Sequence, residues 1–182
     1  MNTLLEIPAV REHAARLSVE DYHRLGELPV ELLRGTIIDK MSKSPLHRFA
    51  AHALRDLLQP QLPAGFLIFS ESPLTLGDSE PEPDLCVVRG TAEQFRNSHP
   101  ATADLVIEVA VSSLEIDRVK ALIYAEAGVT EYWIVCPAAR VVEVYREPGP
   151  EGYASQFRAG PADVLECVAL TGVKVSLAVV LS

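Results

Sequence analysis

A carboxylate inside an apolar β-rich run is a costly placement, and Glu108 is such a case: it separates Leu105-Val106-Ile107 from Val109-Ala110-Val111. Desolvating a charged side chain is expensive unless a partner or a cation compensates it. Strand alternation puts Glu108 on the face shared by Val106 and Ala110. A strand-end carboxylate that pairs with an arginine, or caps a helix, meets the same cost without chemistry. Asp84 opens the preceding apolar segment directly after Pro83, where an aspartate alone is ordinary turn chemistry. On neighbouring strands, Asp84 and Glu108 become half of a metal site. Two carboxylates with positions left for water suit Mg²⁺, with Mn²⁺ as its substitute.

Lys120 is the third part. On a helix from Leu114, the apolar residues Ile116, Val119, Ile123 and Ala127 form a stripe, and Lys120 falls on its border with Asp117 and Tyr124. From there its ammonium either reaches back toward the sheet or snorkels into solvent over an apolar stem. Glu31, within Val30-Glu31-Leu32-Leu33, is a fourth candidate that could hold a second metal or a water. A solvated strand face accounts for it nearly as well. Phosphodiester hydrolysis uses all of these types: the cation polarises the phosphate and activates water, while the ammonium adds charge stabilisation and orients that water. The expectation is that the Asp84 and Glu108 carboxylates lie within about 5 Å of one another, close enough to share one ion. The Lys120 nitrogen should lie about 3 to 5 Å from a Glu108 oxygen.

The elements that must position these residues read as an α/β chain. Ser18 with Asp21 predicts a helix to about Leu25, and Leu28–Leu33 with Thr36–Met41 predicts a hairpin turning at Arg34-Gly35. Ser44 and Pro45 start the clearest helix, with Leu46, Phe49, Ala50, Ala53, Leu54, Leu57 and Leu58 as its buried face. Strands are expected at Phe66–Ser70, Leu74–Leu76, Asp84–Arg89 and Asp104–Val111. A helix follows at Leu114–Ala127, ended by Gly128. Further strands are expected at Glu131–Cys136 and Arg140–Arg146, with shorter ones near Tyr153–Phe157, Val164–Val168 and Val173–Leu177. This order implies a mixed β-sheet flanked by helices. Residues 1–17 read as an arm, and 18–182 as one domain.

Composition limits the partners. The 182 residues carry 25 acidic against 16 basic side chains, a net charge of −9, which argues against broad attraction to nucleic acid but leaves room for a local basic groove. Lys40, Lys43, His47 and Arg48 cluster at the start of the helix from Pro45, where free N–H groups favour a phosphate; a solvated basic patch is the plainer account. No apolar run is long enough to span a membrane, and no signal core is visible near Met1. Cys86, Cys136 and Cys167 are widely spaced in apolar runs, as reduced core thiols of a cytoplasmic protein would be. Tyr132-Trp133 reads as core or interface rather than a base-stacking platform. With the apolar C-terminal strands it suggests a homodimer. Ser112-Ser113 with His47 or His99 lacks the Gly-x-Ser-x-Gly elbow of a serine hydrolase.

Val30-Glu31-Leu32-Leu33-Arg34-Gly35, Met41-Ser42, His47, Pro83-Asp84-Leu85, Ile107-Glu108-Val109, Ser112-Ser113-Leu114, Asp117, Lys120, Tyr124, Ala127-Gly128-Val129 and Glu131-Tyr132-Trp133-Ile134-Val135 occur in this order. Together they resemble the Uma-type restriction endonuclease family, a bacterial branch of the PD-(D/E)XK nuclease superfamily. The resemblance spans roughly Ser18 to the C-terminus and is most specific from Asp104 to Pro137. It implies a restriction-endonuclease-like fold, a Mg²⁺ site, and Glu31, Asp84, Glu108 and Lys120 at the family's active-site positions. The implied function is metal-dependent hydrolysis of nucleic acid, DNA favoured over RNA. The superfamily's strand lysine would stand at position 110, where this chain has Ala110, so the lysine comes from the following helix as Lys120. Val111 stands where many relatives carry aspartate, and the segment from Glu108 to Lys120 is one residue short of the family pattern. Those two departures also fit an inactive nuclease-fold protein that serves as an interaction or dimerisation module.

Overall fold

The computed structural model describes residues 16–26 and 28–182; most of the expected N-terminal arm, residues 1–15, lies outside them. Helix α1 (Val19–Arg24) starts at Ser18, whose Oγ accepts from the Asp21 N–H at 3.1 Å and so satisfies one of the free donors of the first turn. Strands β1 (Val30–Leu33) and β2 (Thr36–Asp39) pair antiparallel. Arg34 (φ 53°) and Gly35 (φ 71°) both take the left-handed conformation that a tight two-residue hairpin turn requires.

Helix α2 (Pro45–Leu58) is capped by Ser44, with the proline in its first turn. Its buried face runs through His47, Ala50, Leu54 and Leu58. Leu46 and Phe49, expected on that face, are exposed instead. The helix is rotated so that His47, a polar residue, takes an inward position that hydrophobicity alone assigns to its neighbours.

The main sheet has six strands in the order β3 (Phe66–Ser70), β4 (Leu85–Arg89), β5 (Leu105–Val109), β6 (Glu131–Cys136), β7 (Val141–Gly149) and β8 (Gly152–Ala159). Only β5 and β6 are parallel, and helix α3 (Leu114–Glu126) makes the crossover between them. A parallel pair requires such a connection, whereas each antiparallel neighbour can be reached by a turn or a loop. The expected strand at Leu74–Leu76 is a loop that makes only an isolated bridge from Leu76 to Ser79.

Two cores sit on opposite faces of this sheet. Ile107, Trp133 and Val135 point to one, covered by α2, by the pair β9 (Val164–Glu166) and β10 (Lys174–Ser176), and by the short helix α4 (Leu177–Val180). Val106, Tyr132 and Ile134 point to the other, covered by α3 and the β1–β2 hairpin. Because both faces are covered, β5 and β6 are buried along their whole length, as their near-continuous apolar sequences require. Tyr132 and Trp133 are fully buried within the chain, so neither supplies the surface on which a homodimer was expected. The three cysteines are free and buried. Among the described residues, no helix is long and apolar enough to cross a membrane.

Candidate active site

The site lies at one end of β4 and β5. Leu85 pairs with Ile107 in antiparallel register, and continuing that register by one residue sets Asp84 opposite Glu108 on the same face. The backbone ties them further: the Val109 N–H donates to Asp84 Oδ2 at 2.8 Å, and the Asp84 N–H makes a long 3.4 Å contact to Glu108 Oε2. Asp84, expected as the first residue of a strand, stands immediately before it, where its side chain can fold back over the strand end.

Helix α3 brings Lys120 to the same place. Asp117, Lys120, Ala121 and Tyr124 share its buried face at spacing i, i+3, i+4, i+7. The expected apolar stripe fails at Val119, which is 64% exposed. Lys120 is therefore not on the border of the buried face but inside it, only 4% exposed. Its ammonium donates to Glu108 Oε1 at 3.0 Å and to Glu31 Oε2 at 2.8 Å. Glu31 comes from β1, and its Oε1 also accepts from the Glu82 N–H at 3.0 Å. The Tyr124 hydroxyl donates to Glu108 Oε1 at 3.0 Å. With two donors on Oε1, the other Glu108 oxygen is the one left facing Asp84.

Glu31, Asp84, Glu108, Asp117 and Lys120 line one cavity of about 110 Å³, together with the Lys40–Ser44 loop and the Val111–Ser113 loop. Lys43 donates to Asp84 Oδ1 at 2.9 Å, and His47 Nε2 donates to Asp84 Oδ2 at 3.0 Å. His47 Nδ1 is buried without a partner among the described residues. Lys43 and His47, expected to meet a phosphate from outside, are turned inward onto Asp84, while Arg48 is exposed on α2. The reason is the path of the loop before α2, which folds over the cavity mouth.

Electrostatics divides the two carboxylates. Burial alone pushes the Asp84 carboxyl up, but the hydrogen bonds from His47 and Lys43 more than offset it and hold it below the ordinary range. Burial pushes Glu108 well above its ordinary value; Lys120 pulls against that, while Asp117, Asp84 and Glu31 add to it. Burial likewise raises Asp117 against the pull of Lys120 and of Ser113, whose Oγ donates to Asp117 Oδ2 at 2.6 Å. Lys120 is held above its ordinary value: burial opposes its charge, but Glu108, Glu31 and Asp117 outweigh that. Too many acids share too little positive charge, and a divalent cation would relieve the imbalance.

No group of three or more His, Cys, Asp and Glu among the described residues forms a ready-made metal centre. Asp84 and Glu108 offer two carboxylates, which fits Mg²⁺, because that ion keeps several of its waters. Admitting a cation at Asp84 requires Lys43 or His47 to release an oxygen. Sequence reasoning placed Glu31, Asp84, Glu108 and Lys120 as candidates, and the fold brings all four together. It left Asp117 and Tyr124 as flanking residues only. Their helical spacing from Lys120 was the available signal.

Several comparisons bear on this arrangement. No curated protein matches the chain. The crystal structure of a "putative nuclease belonging to DUF820" from Anabaena variabilis superposes with a TM-score of 0.73 at 19% identity, covering 91% of this chain and 97% of that one. At that identity the likeness establishes the fold, which is nuclease-like. The Uma2 family, described as "Putative restriction endonuclease", matches residues 19–179, the span that includes both sheet faces and every residue of the cavity. The chain belongs to the Uma2 family.

Proposed function

We propose that the chain is a Mg²⁺-dependent phosphodiesterase acting on nucleic acid, DNA by preference, with Asp84 and Glu108 as the metal ligands. The observation that carries the reading is the buried Lys120 ammonium, held between Glu108 and Glu31 in the cavity that Asp84 also lines. Bound Mg²⁺ would supply Lewis acidity to the phosphate and acidify a water. The Lys120 ammonium would orient the attacking water beside Glu108 and stabilise the charge that develops on the phosphoryl oxygens as the bond from water to phosphorus forms and the bond to the leaving oxygen breaks. Glu31 keeps the ammonium aimed, and Tyr124 and Lys120 engage Glu108 Oε1, which would leave Oε2 available to a cation. Lys43, released from Asp84, is placed to meet the phosphate. Buried free thiols support a reducing, cytoplasmic setting. Apolar surface for a second copy lies at Val119 and Leu122 on α3 and at Val164 and Val168 near the C-terminal strands.

Mn²⁺ or Mg²⁺ should raise the melting temperature of the wild-type protein, and Glu108→Gln should abolish the rise. An unchanged rise in that variant would remove Glu108 from the metal site. A second reading has its own observation: Lys43 and His47 already engage both Asp84 oxygens. A nuclease fold retained as an interaction module would show no response to either ion in the wild type.

Acidity gives a separate test. Protons compete with the cation for Glu108, so metal affinity should fall as pH drops through the raised Glu108 value, earlier than for an ordinary carboxylate near 4.5. For the metal-free protein the sign is opposite. The native state binds this proton more tightly than the unfolded chain, so the Glu108 contribution makes stability fall as pH rises from about 4.5 toward the raised value. Thermal midpoints across pH, with and without Mn²⁺, should show both slopes. Glu108→Gln should flatten the metal-free one.

A further inference from the structure

The active-site cavity shares two wall residues, Lys40 and Glu82, with a second hollow of about 530 Å³. The hollow is open to solvent along much of its surface, as a site for a partly exposed ring would be. Its remaining walls include Tyr22, His23, His99 and Leu28. Two of these rings are fixed in place. The Tyr22 hydroxyl donates to the Val30 carbonyl at 2.8 Å, and His23 Nε2 lies 2.8 and 3.0 Å from the two Glu80 oxygens. Rings held this way lose little freedom when a flat ligand packs against them.

Glu82 connects the hollow to the catalytic residues. Its N–H is bonded to Glu31, which in turn holds Lys120. Its Oε2 accepts from Lys40 at 2.7 Å, and Oε1 takes no hydrogen bond among the described residues. Glu82 is part of the wall, and a carboxylate oxygen there is an acceptor suited to an exocyclic amino group.

The access to the acids points the same way. Glu108 and Lys120 are each 4% exposed at the bottom of the smaller cavity, and the Ser112 hydroxyl approaches Met41 Sδ at 3.9 Å across its mouth. Bases in a duplex are stacked and paired inside the helix, whereas a single strand leaves a base free to enter the adjoining hollow. The net charge of −9 also limits the binding that phosphate contacts can supply, which leaves stacking to provide it.

We propose that the hollow bounded by Tyr22, His23, His99 and Glu82 is a nucleobase subsite. It takes the unstacked base next to the scissile phosphate and makes single strands bearing amino-substituted bases the preferred substrate. The proposal rests on the phosphodiesterase reading of the neighbouring cavity, but its binding step can be measured without hydrolysis. The probe is a fluorescein-labelled six-nucleotide oligodeoxyadenylate with Ca²⁺ in place of Mg²⁺. Its controls are the same backbone carrying abasic spacers throughout, an oligothymidylate, and a duplex of equal length. Wild-type protein should bind the oligodeoxyadenylate more tightly than all three. Exposed His99 lies outside the catalytic set, and His99→Ala should weaken oligodeoxyadenylate binding about tenfold while leaving the spacer strand unaffected. Equal binding of base-bearing and abasic strands, duplex binding as tight as single-strand binding, or a His99→Ala loss shared by the spacer would overturn the subsite. Base-dependent binding without cleavage in Mg²⁺ or Mn²⁺ would instead sink the phosphodiesterase reading and leave the subsite standing.

Discussion

Lys120→Met should lower hydrolysis by about 10²–10³-fold, the usual cost of losing one preorganised charge donor, while leaving the Mn²⁺-induced rise in melting temperature at least as large as in the wild type. On the proposed reading the lysine is no ligand; its ammonium donates to a Glu108 oxygen and to the Glu31 carboxylate. Its removal leaves buried carboxylates without their ammonium partner, a loss of about 3–5 kcal/mol on the scale of broken buried pairs. Protonation of Glu108, whose carboxyl is already held high, offsets part of that. A bound cation should restore much of the rest. The combination is diagnostic: single-turnover cleavage falls, metal-free stability falls, and the thermal response to metal persists or grows. If Lys120→Met cleaved as fast as the wild type, the ammonium would have only a structural role.

Glu131→Ala should be among the most destabilising single changes outside the site, by about 3–5 kcal/mol, while the response to metal survives. Glu131 opens β6 and is fully buried. Its Oε1 accepts from Trp133 Nε1 at 2.9 Å and from Arg146 at 2.8 Å. Its Oε2 accepts from the Val168 N–H at 2.8 Å and the Ala169 N–H at 3.3 Å. One carboxylate thus fastens the segment after β9 to the sheet. The truncation would strand an arginine, an indole N–H and two backbone donors at once. For a domain of this size that corresponds to a drop of roughly 6–20 °C in melting temperature. Chemical denaturation at constant m would measure it, and a loss under 1 kcal/mol would show that water replaces the carboxylate at little cost.

Glu108 and Glu131 show how far the sequence reaches. Both are acids next to apolar, β-rich residues, and the cost of burying a charge says only that each must have a partner. Glu131 finds an arginine and backbone N–H groups brought from β7 and the segment after β9, over 15 to 38 residues of chain. Glu108 instead faces a cavity and shares a lysine with another acid. Nothing in either residue's immediate neighbours distinguishes the two cases.

What the sequence determined by itself was local. The caps at Ser18 and Ser44, the Arg34-Gly35 turn, the helix ended by Gly128 and the strands around Val106 and Ile134 follow from propensity, turn chemistry and hydrophobic runs that act over a few residues. Residue chemistry offered Glu31, Asp84, Glu108 and Lys120 as candidates, and resemblance to a family, carried by motifs in order, put all four at its active-site positions. Rotation of the helices was decided only in three dimensions. Hydrophobicity put Val119 and Phe49 inside, yet both are exposed, because the inward positions are taken by Lys120, Asp117 and His47. Polar side chains hold those positions only because others, reached across the fold, satisfy their charges and hydrogen bonds: Glu31 from the hairpin, Asp84 from the end of β4, Ser113 from the preceding loop. The free energy of such a cluster is a property of the assembled set, and so the tertiary structure alone fixes which face of each helix is buried.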